Sequence, residues 1–290
     1  MTEQTYTLVG DRRRTRVSLV WFFVLALGLT FLLNNLIVLG ENQGWWVTPG
    51  WLSALALAMF GGPSIAGLVM ATSEGRDGVR DLFGRSTRWR SSPVNYSIAV
   101  GVPAIPAAAA VVVALLVGEE IGDLPGLWPE WWTVLVFLIV LLPLAEEFGW
   151  RAYALPRLLA VTSPMKASLV LGALWGLWHL PAAFINGLPQ ETVFFEYAVM
   201  WLAYPILTIS QSILMTWLFL RTKGSALIAG FIFHAAANAW AGVLLTDATM
   251  SGSVRDPSQT QLWVVIGTTA LLAAAVAGWT RGQLGVRSAN

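Results

Sequence analysis

Ala145-Glu146-Glu147-Phe148-Gly149-Trp150-Arg151 decides how this chain is read. Two adjacent carboxylates and a guanidinium sit at the end of an apolar run that opens at Trp131. Ionisable side chains within a bilayer are strongly destabilised, so they persist where they pair or carry function. Glu147 and Arg151 stand at i,i+4, the spacing of an intrahelical ion pair. Neighbours on a helix point about 100° apart. Only one of the two glutamates is therefore expected to face a cavity shared with other helices, and the pairing of Glu147 leaves that place to Glu146.

The rest of the composition agrees with a bilayer setting. The chain has 290 residues, 56% hydrophobic and only 11% charged, with mean hydropathy +0.66. Soluble domains carry about 25% charged residues. The apolar runs are helix-length and lack the alternation of a membrane barrel. With no cysteine, disulfides, thiolate metal sites and a Cys nucleophile are excluded. A net charge of +1 points to no nucleic-acid partner. Arg12-Arg13-Arg14-Thr15-Arg16 precedes an apolar run too long for a signal-peptide core, which reads as a retained first span.

A bilayer-crossing helix needs about 20 apolar residues. The expected spans are Val17–Leu39, Trp51–Thr72, Val94–Val117, Trp131–Leu158, Lys166–Ile185, Glu196–Arg221, Ser225–Leu245 and Gln261–Thr280. The expected fold is all-α: one polytopic membrane domain over 1–290, of about eight transmembrane helices, with a polar intramembrane cavity. With the N-terminus in the cytoplasm, 16 of the 17 basic residues fall on the cytoplasmic side, and only Arg255 lies outside. Both termini are then cytoplasmic, and the expected location is the plasma membrane of a bacterium. The cytoplasmic loop 73–92 carries Arg76, Arg80, Arg85, Arg88 and Arg90. Val79, Leu82 and Phe83 share one helical face there, as in a short interfacial helix or an ordinary basic loop. Trp45, Trp46, Trp128, Trp131 and Trp132 fall where an outer aromatic belt belongs.

The two histidines of the chain, His179 and His234, both lie inside expected spans. His234 and Asn238 are at i,i+4 and share a face. At 1.5 Å per residue, Glu146, His179 and His234 lie roughly 18, 20 and 14 Å from their cytoplasmic helix ends. Three helices thus deliver ionisable groups to one layer. Gly172 and Gly176 form a small-residue face that lets the His179 helix approach a neighbour closely.

His179 and His234 are far apart in the chain, so H-E-x-x-H is absent, as is a G-x-S-x-G elbow. What remains is a carboxylate base, two imidazoles and an amide. A desolvated carboxylate can activate water, and His or Asn can donate hydrogen bonds to a developing oxyanion. That set suffices for amide hydrolysis.

Glu146-Glu147-x-x-x-Arg151, Trp175-x-x-x-His179 and His234-x-x-x-Asn238, each on its own expected helix, resemble the CAAX-protease and bacteriocin-processing (CPBP, or Abi) family of intramembrane endopeptidases. The resemblance covers about 131–245. It implies that Glu146 activates water with help from His179. It further implies that Glu147 and Arg151 shape the site, and that His234 with Asn238 forms the oxyanion hole. The family often has Phe where this chain has Trp175. No cofactor is implied by the glutamate-protease form; the alternative is Zn2+ on Glu146, His179 and His234. Asn238, a poor zinc ligand and a good oxyanion donor, favours the metal-free form. The implied partner is a membrane-associated protein or peptide substrate within the lipid bilayer. A proton-coupled transporter and a non-catalytic scaffold or bacteriocin-immunity protein are the rival classes; the first would call for an inverted repeat, which the sequence lacks.

The orientation can be checked by cysteine labelling. Ser92→Cys and Thr222→Cys should react only from the cytoplasm, and Ser251→Cys only from outside. Labelling of Ser251→Cys from the cytoplasm overturns the arrangement.

Overall fold

The computed structural model describes residues 12–42, 62–119, 136–180, 191–245, 247–248, 254–255 and 258–285. Helix α1 spans Arg12–Asn42, α2 Gly62–Ser73, α3 Gly75–Ser86 and α4 Pro93–Leu116. A continuous rod follows, in four consecutive segments: a π-helical stretch Phe137–Leu141, α5 Leu142–Glu147, a second π stretch Phe148–Ala154, and α6 Leu155–Val161. Then come α7 Pro164–Trp178, α8 Glu191–Arg221, a third π stretch Leu227–Ile232 leading into α9 Phe233–Leu245, and α10 Gln259–Trp279. Two two-residue strands, Asp247–Ala248 and Val254–Arg255, pair antiparallel between α9 and α10.

Local sequence sets several helix starts. Pro93 and Pro164 occupy first-turn positions behind extended Ser92 and Ser163, where a missing N–H is harmless. Ser258 and Gln261 close a reciprocal capping box on α10. The rod is the hub. Its second π stretch packs on α2 and α3, its first on α9, and α6 on α1 and α7. Trp150 and Tyr153 are fully buried; Trp150 meets Phe22 of α1 edge-on at 5.6 Å and Trp178 of α7 at 6.3 Å. Glu74 accepts hydrogen bonds from Tyr153 Oη (2.8 Å) and Arg157 Nε (3.1 Å). That polar clasp ties the α2–α3 turn to the rod.

Close approach of backbones fixes the rod's position. A Cβ at Gly149 would lie 2.1 Å from the Pro63 carbonyl oxygen, and one at Gly67 would lie 2.9 Å from Gly149 Cα. The Gly172–Gly176 face works in the same way against α8. Thr208 Oγ1 donates to the Gly172 carbonyl at 2.9 Å, and a Cβ at Gly172 would meet Ile209 Cα at 2.5 Å.

The all-α architecture is as expected, but the expected count of eight spans is not established. By length and hydropathy, four helices among the described residues are suited to crossing a bilayer: Arg12–Leu32, Pro93–Leu116, Trp201–Arg221 and Gln259–Trp279, with Leu227–Gly242 shorter. The rod and α7, which carry Glu146 and lead to His179, are outside that set. Polar residues interrupt the rod's apolar run, and α7 is a 15-residue helix that stops at Trp178, short of the expected Ile185. Part of the expected second, fourth and fifth spans, and the belt tryptophans Trp45, Trp46, Trp128, Trp131 and Trp132, lie outside the described residues. The basic loop does hold a helix, α3, with Leu82 in the core and Phe83 edge-on to Phe148 at 5.8 Å.

Gly149→Ala should lower the thermal unfolding temperature of the detergent-solubilised protein, by the equivalent of about 1–3 kcal/mol of overpacking. Gly101→Ala, where a Cβ meets nothing within 4 Å, should leave it unchanged or raise it. Equal behaviour of the two variants would contradict the packing described.

Candidate active site

Glu146 and Glu147 end α5, between two π stretches. Such i→i+5 segments add a residue to a turn and are frequent at functional sites. Both glutamates and Arg151 are buried: Glu146 is 3% exposed, Glu147 and Arg151 0%. Glu147 Oε1 accepts a hydrogen bond from Arg151 Nη1 at 2.8 Å and stands 2.8 Å from His234 Nδ1. An ionised carboxylate only accepts, so the ring's Nδ1 carries the proton that points at Glu147. His234 Nε2 then faces Glu146 Oε1 across 3.9 Å. Glu146 Oε2 accepts from the Trp175 indole N–H at 2.6 Å.

One expectation changes here. The two glutamates were expected to diverge, with only Glu146 reaching the shared cavity. Both reach His234, because the imidazole presents a different nitrogen to each and so bridges the angle between them.

His179 is half-buried just beyond the last residue of α7. Its Nδ1 donates to the Trp175 carbonyl at 2.8 Å, since a carbonyl oxygen only accepts. In the neutral ring Nε2 is then a free acceptor. The ring packs against Trp178 (4.6 Å), Tyr204 (5.0 Å) and Trp175 (5.9 Å). Asn238 lies half-buried on α9, one turn beyond His234. Trp175 is the site residue to which sequence reasoning gave no role, naming it only as a motif position. Its signal was its place four residues before His179.

Residues 128–240 match the family described as type II CAAX prenyl endopeptidase Rce1-like. This segment is similar to the CAAX-protease and bacteriocin-processing family. It contains all three motifs named above. CAAX prenyl protease 2 of Methanococcus maripaludis is 35% identical over 99 residues, which is 34% of this chain and 36% of that protein. The chain thus spans just over a third of the length of the curated relative it matches.

A metal is the alternative that this family segment must be tested for. Ligand atoms of Glu146, Glu147 and His234 lie within 4.8 Å of one another; His179, the second histidine of the expected zinc set, is not among them. A catalytic zinc needs three protein donors. Glu147 Oε1 and His234 Nδ1 are already engaged with each other, and the Arg151 guanidinium puts a fixed positive charge against the same carboxylate. A dication would have to share the cluster with that charge, so the fit is poor.

The ion pair yields a stability test. Glu147→Gln should destabilise the protein by about 3–5 kcal/mol, because Arg151 is left buried without its counter-charge. Adding Arg151→Gln should recover part of that loss. Thermal unfolding in detergent reads both, and a Glu147→Gln protein as stable as the parent contradicts the pairing.

Proposed function

We propose that the protein is an intramembrane endopeptidase that hydrolyses a peptide bond near the C-terminus of a membrane-associated protein or peptide, using water activated by Glu146. The observation that carries this reading is the 3.9 Å approach of Glu146 Oε1 and His234 Nε2, from two different helices, in a buried setting. A gap of that length suits a water held by both groups. The family match of residues 128–240 supports the reaction class.

In the proposed step Glu146 Oε1 takes a proton from that water as its oxygen attacks the scissile carbonyl carbon. The carbonyl π pair moves to oxygen, and the tetrahedral intermediate collapses by breaking the C–N bond. Glu146 returns the proton to the departing nitrogen. His179, with Nδ1 held by the Trp175 carbonyl, offers Nε2 to the water as a second acceptor. In this proposal His234 is the imidazolium: Nδ1–H donates to Glu147, and Nε2–H shares with Asn238 the stabilisation of the oxyanion. Arg151 keeps Glu147 in place and does not touch the substrate. No metal takes part. In this proposal the cavity opens to the cytoplasmic side, a reading supported by the basic-residue distribution.

The test is hydrolysis of membrane-anchored peptides by the purified protein. Glu146→Gln should remain folded and lose at least about 100-fold in rate, the low end for removal of a general base. Activity should survive 1,10-phenanthroline and dialysis. Loss of activity on chelation with recovery on zinc would replace the metal-free mechanism, and near-full activity of Glu146→Gln would remove the assignment of the base.

A further inference from the structure

We infer that Trp175 is a positioning residue whose indole N–H selects which oxygen of Glu146 performs the chemistry. The inference rests on the reading of Glu146 as the water-activating base. A glutamate reaches its carboxylate through three rotatable bonds, and the last rotates broadly. Unless something holds it, the basic oxygen has no fixed direction. In this site Oε2 is held by the indole N–H at 2.6 Å, and Oε1 is thereby turned towards His234 Nε2.

The indole is itself well placed to act as a reference point. It is 3% exposed. The Arg151 guanidinium stacks over its face, with Cζ 4.1 Å from the ring centroid, a favourable cation–π geometry. The His234 ring meets it edge-on at 5.6 Å. Its backbone carbonyl holds His179 Nδ1 at 2.8 Å. One residue of α7 therefore touches Glu146 and Arg151 of the rod, His234 of α9, and His179 just past its own helix end. A phenylalanine here, which the resembling family often has, would keep the ring contacts and lose the donor. The ring and the N–H thus have separable duties: the ring packs against Arg151, and the N–H aims Glu146.

The experiment removes the N–H and keeps the ring. β-(3-Benzothienyl)alanine, a near-isostere of tryptophan with sulfur in place of N–H, is placed at position 175 by stop-codon suppression. Its kcat on the membrane-anchored peptide should fall about 10- to 100-fold, the scale of a lost charge-assisted hydrogen bond. KM should stay within about twofold, since uniform substrate binding is untouched, and the unfolding temperature should match the parent's. Trp175→Phe should show the same loss of kcat. Trp175→Ala should in addition unfold at lower temperature, because Arg151 then loses its ring. Parental kcat in the benzothienyl protein overturns the inference and leaves the endopeptidase reading standing. If the parent hydrolyses none of the peptides, that reading fails, and the hydrogen bond is decided by NMR of 15N-labelled protein. The Trp175 indole cross-peak, identified by its loss in Trp175→Phe, should move upfield in the proton dimension in Glu146→Ala. An unmoved peak overturns the inference on structural grounds alone.

Discussion

The arrangement depends on one oxygen atom. Glu147 Oε1 accepts from Arg151 within its own rod and faces His234 from α9, each at 2.8 Å. All three side chains are buried. In a low-dielectric setting such contacts are strong when made and very unfavourable when one partner is missing. Their value is geometric more than energetic, since a buried ion pair seldom outperforms well-packed apolar residues in stability. Here the Glu147–His234 contact joins the rod to α9 at a fixed register and decides which nitrogen of His234 points at Glu146. The rest of the site follows from that choice.

The backbone is shaped to let this polar knot form. A Cβ at Gly230 would come 2.8 Å from Glu147 Oε2 and 3.1 Å from Arg151 Cβ. The third π stretch therefore presses bare backbone against the ion pair. Gly149, two residues along the rod from Glu147, lets the rod meet the Pro63 backbone of α2 closely. The three π stretches flank α5 and lead into α9, so the widened turns fall around the residues that need placing. Among the described residues four helices are long and apolar enough to span, whereas the rod is divided into short segments and α7 has 15 residues.

Part of this was legible in the sequence for definite physical reasons. Glu147 and Arg151 announce their pairing through i,i+4 spacing. Counting residues from the helix ends brings Glu146, His179 and His234 to one depth, and Gly172 and Gly176 mark where α8 seats. Other features are not coded locally. That His234 would span both glutamates depends on the crossing of two helices and on which ring nitrogen meets which carboxylate. The first π stretch leaves no trace in apolar periodicity, because the run 137–145 is apolar on every face. The end of α7 at Trp178 was hidden by the apolar residues that continue beyond it. His179, part of the alternative zinc set of two histidines and a glutamate, is not among the converging ligand atoms of Glu146, Glu147 and His234.

The adjacency of the two glutamates makes their division of labour a matter of partners. Glu147 is tied to a guanidinium and an imidazole. Adding a proton to it would forfeit bonds to charged or strongly polar donors, and with them the seat of Arg151. Glu146 accepts instead from a neutral indole, and its other oxygen faces an imidazole nitrogen 3.9 Å away. A proton can arrive at Glu146 and leave again without dismantling an ion pair. Of the two carboxylates, the one able to cycle its proton while the framework stays intact is Glu146. The framework that stays intact is the one Glu147 holds.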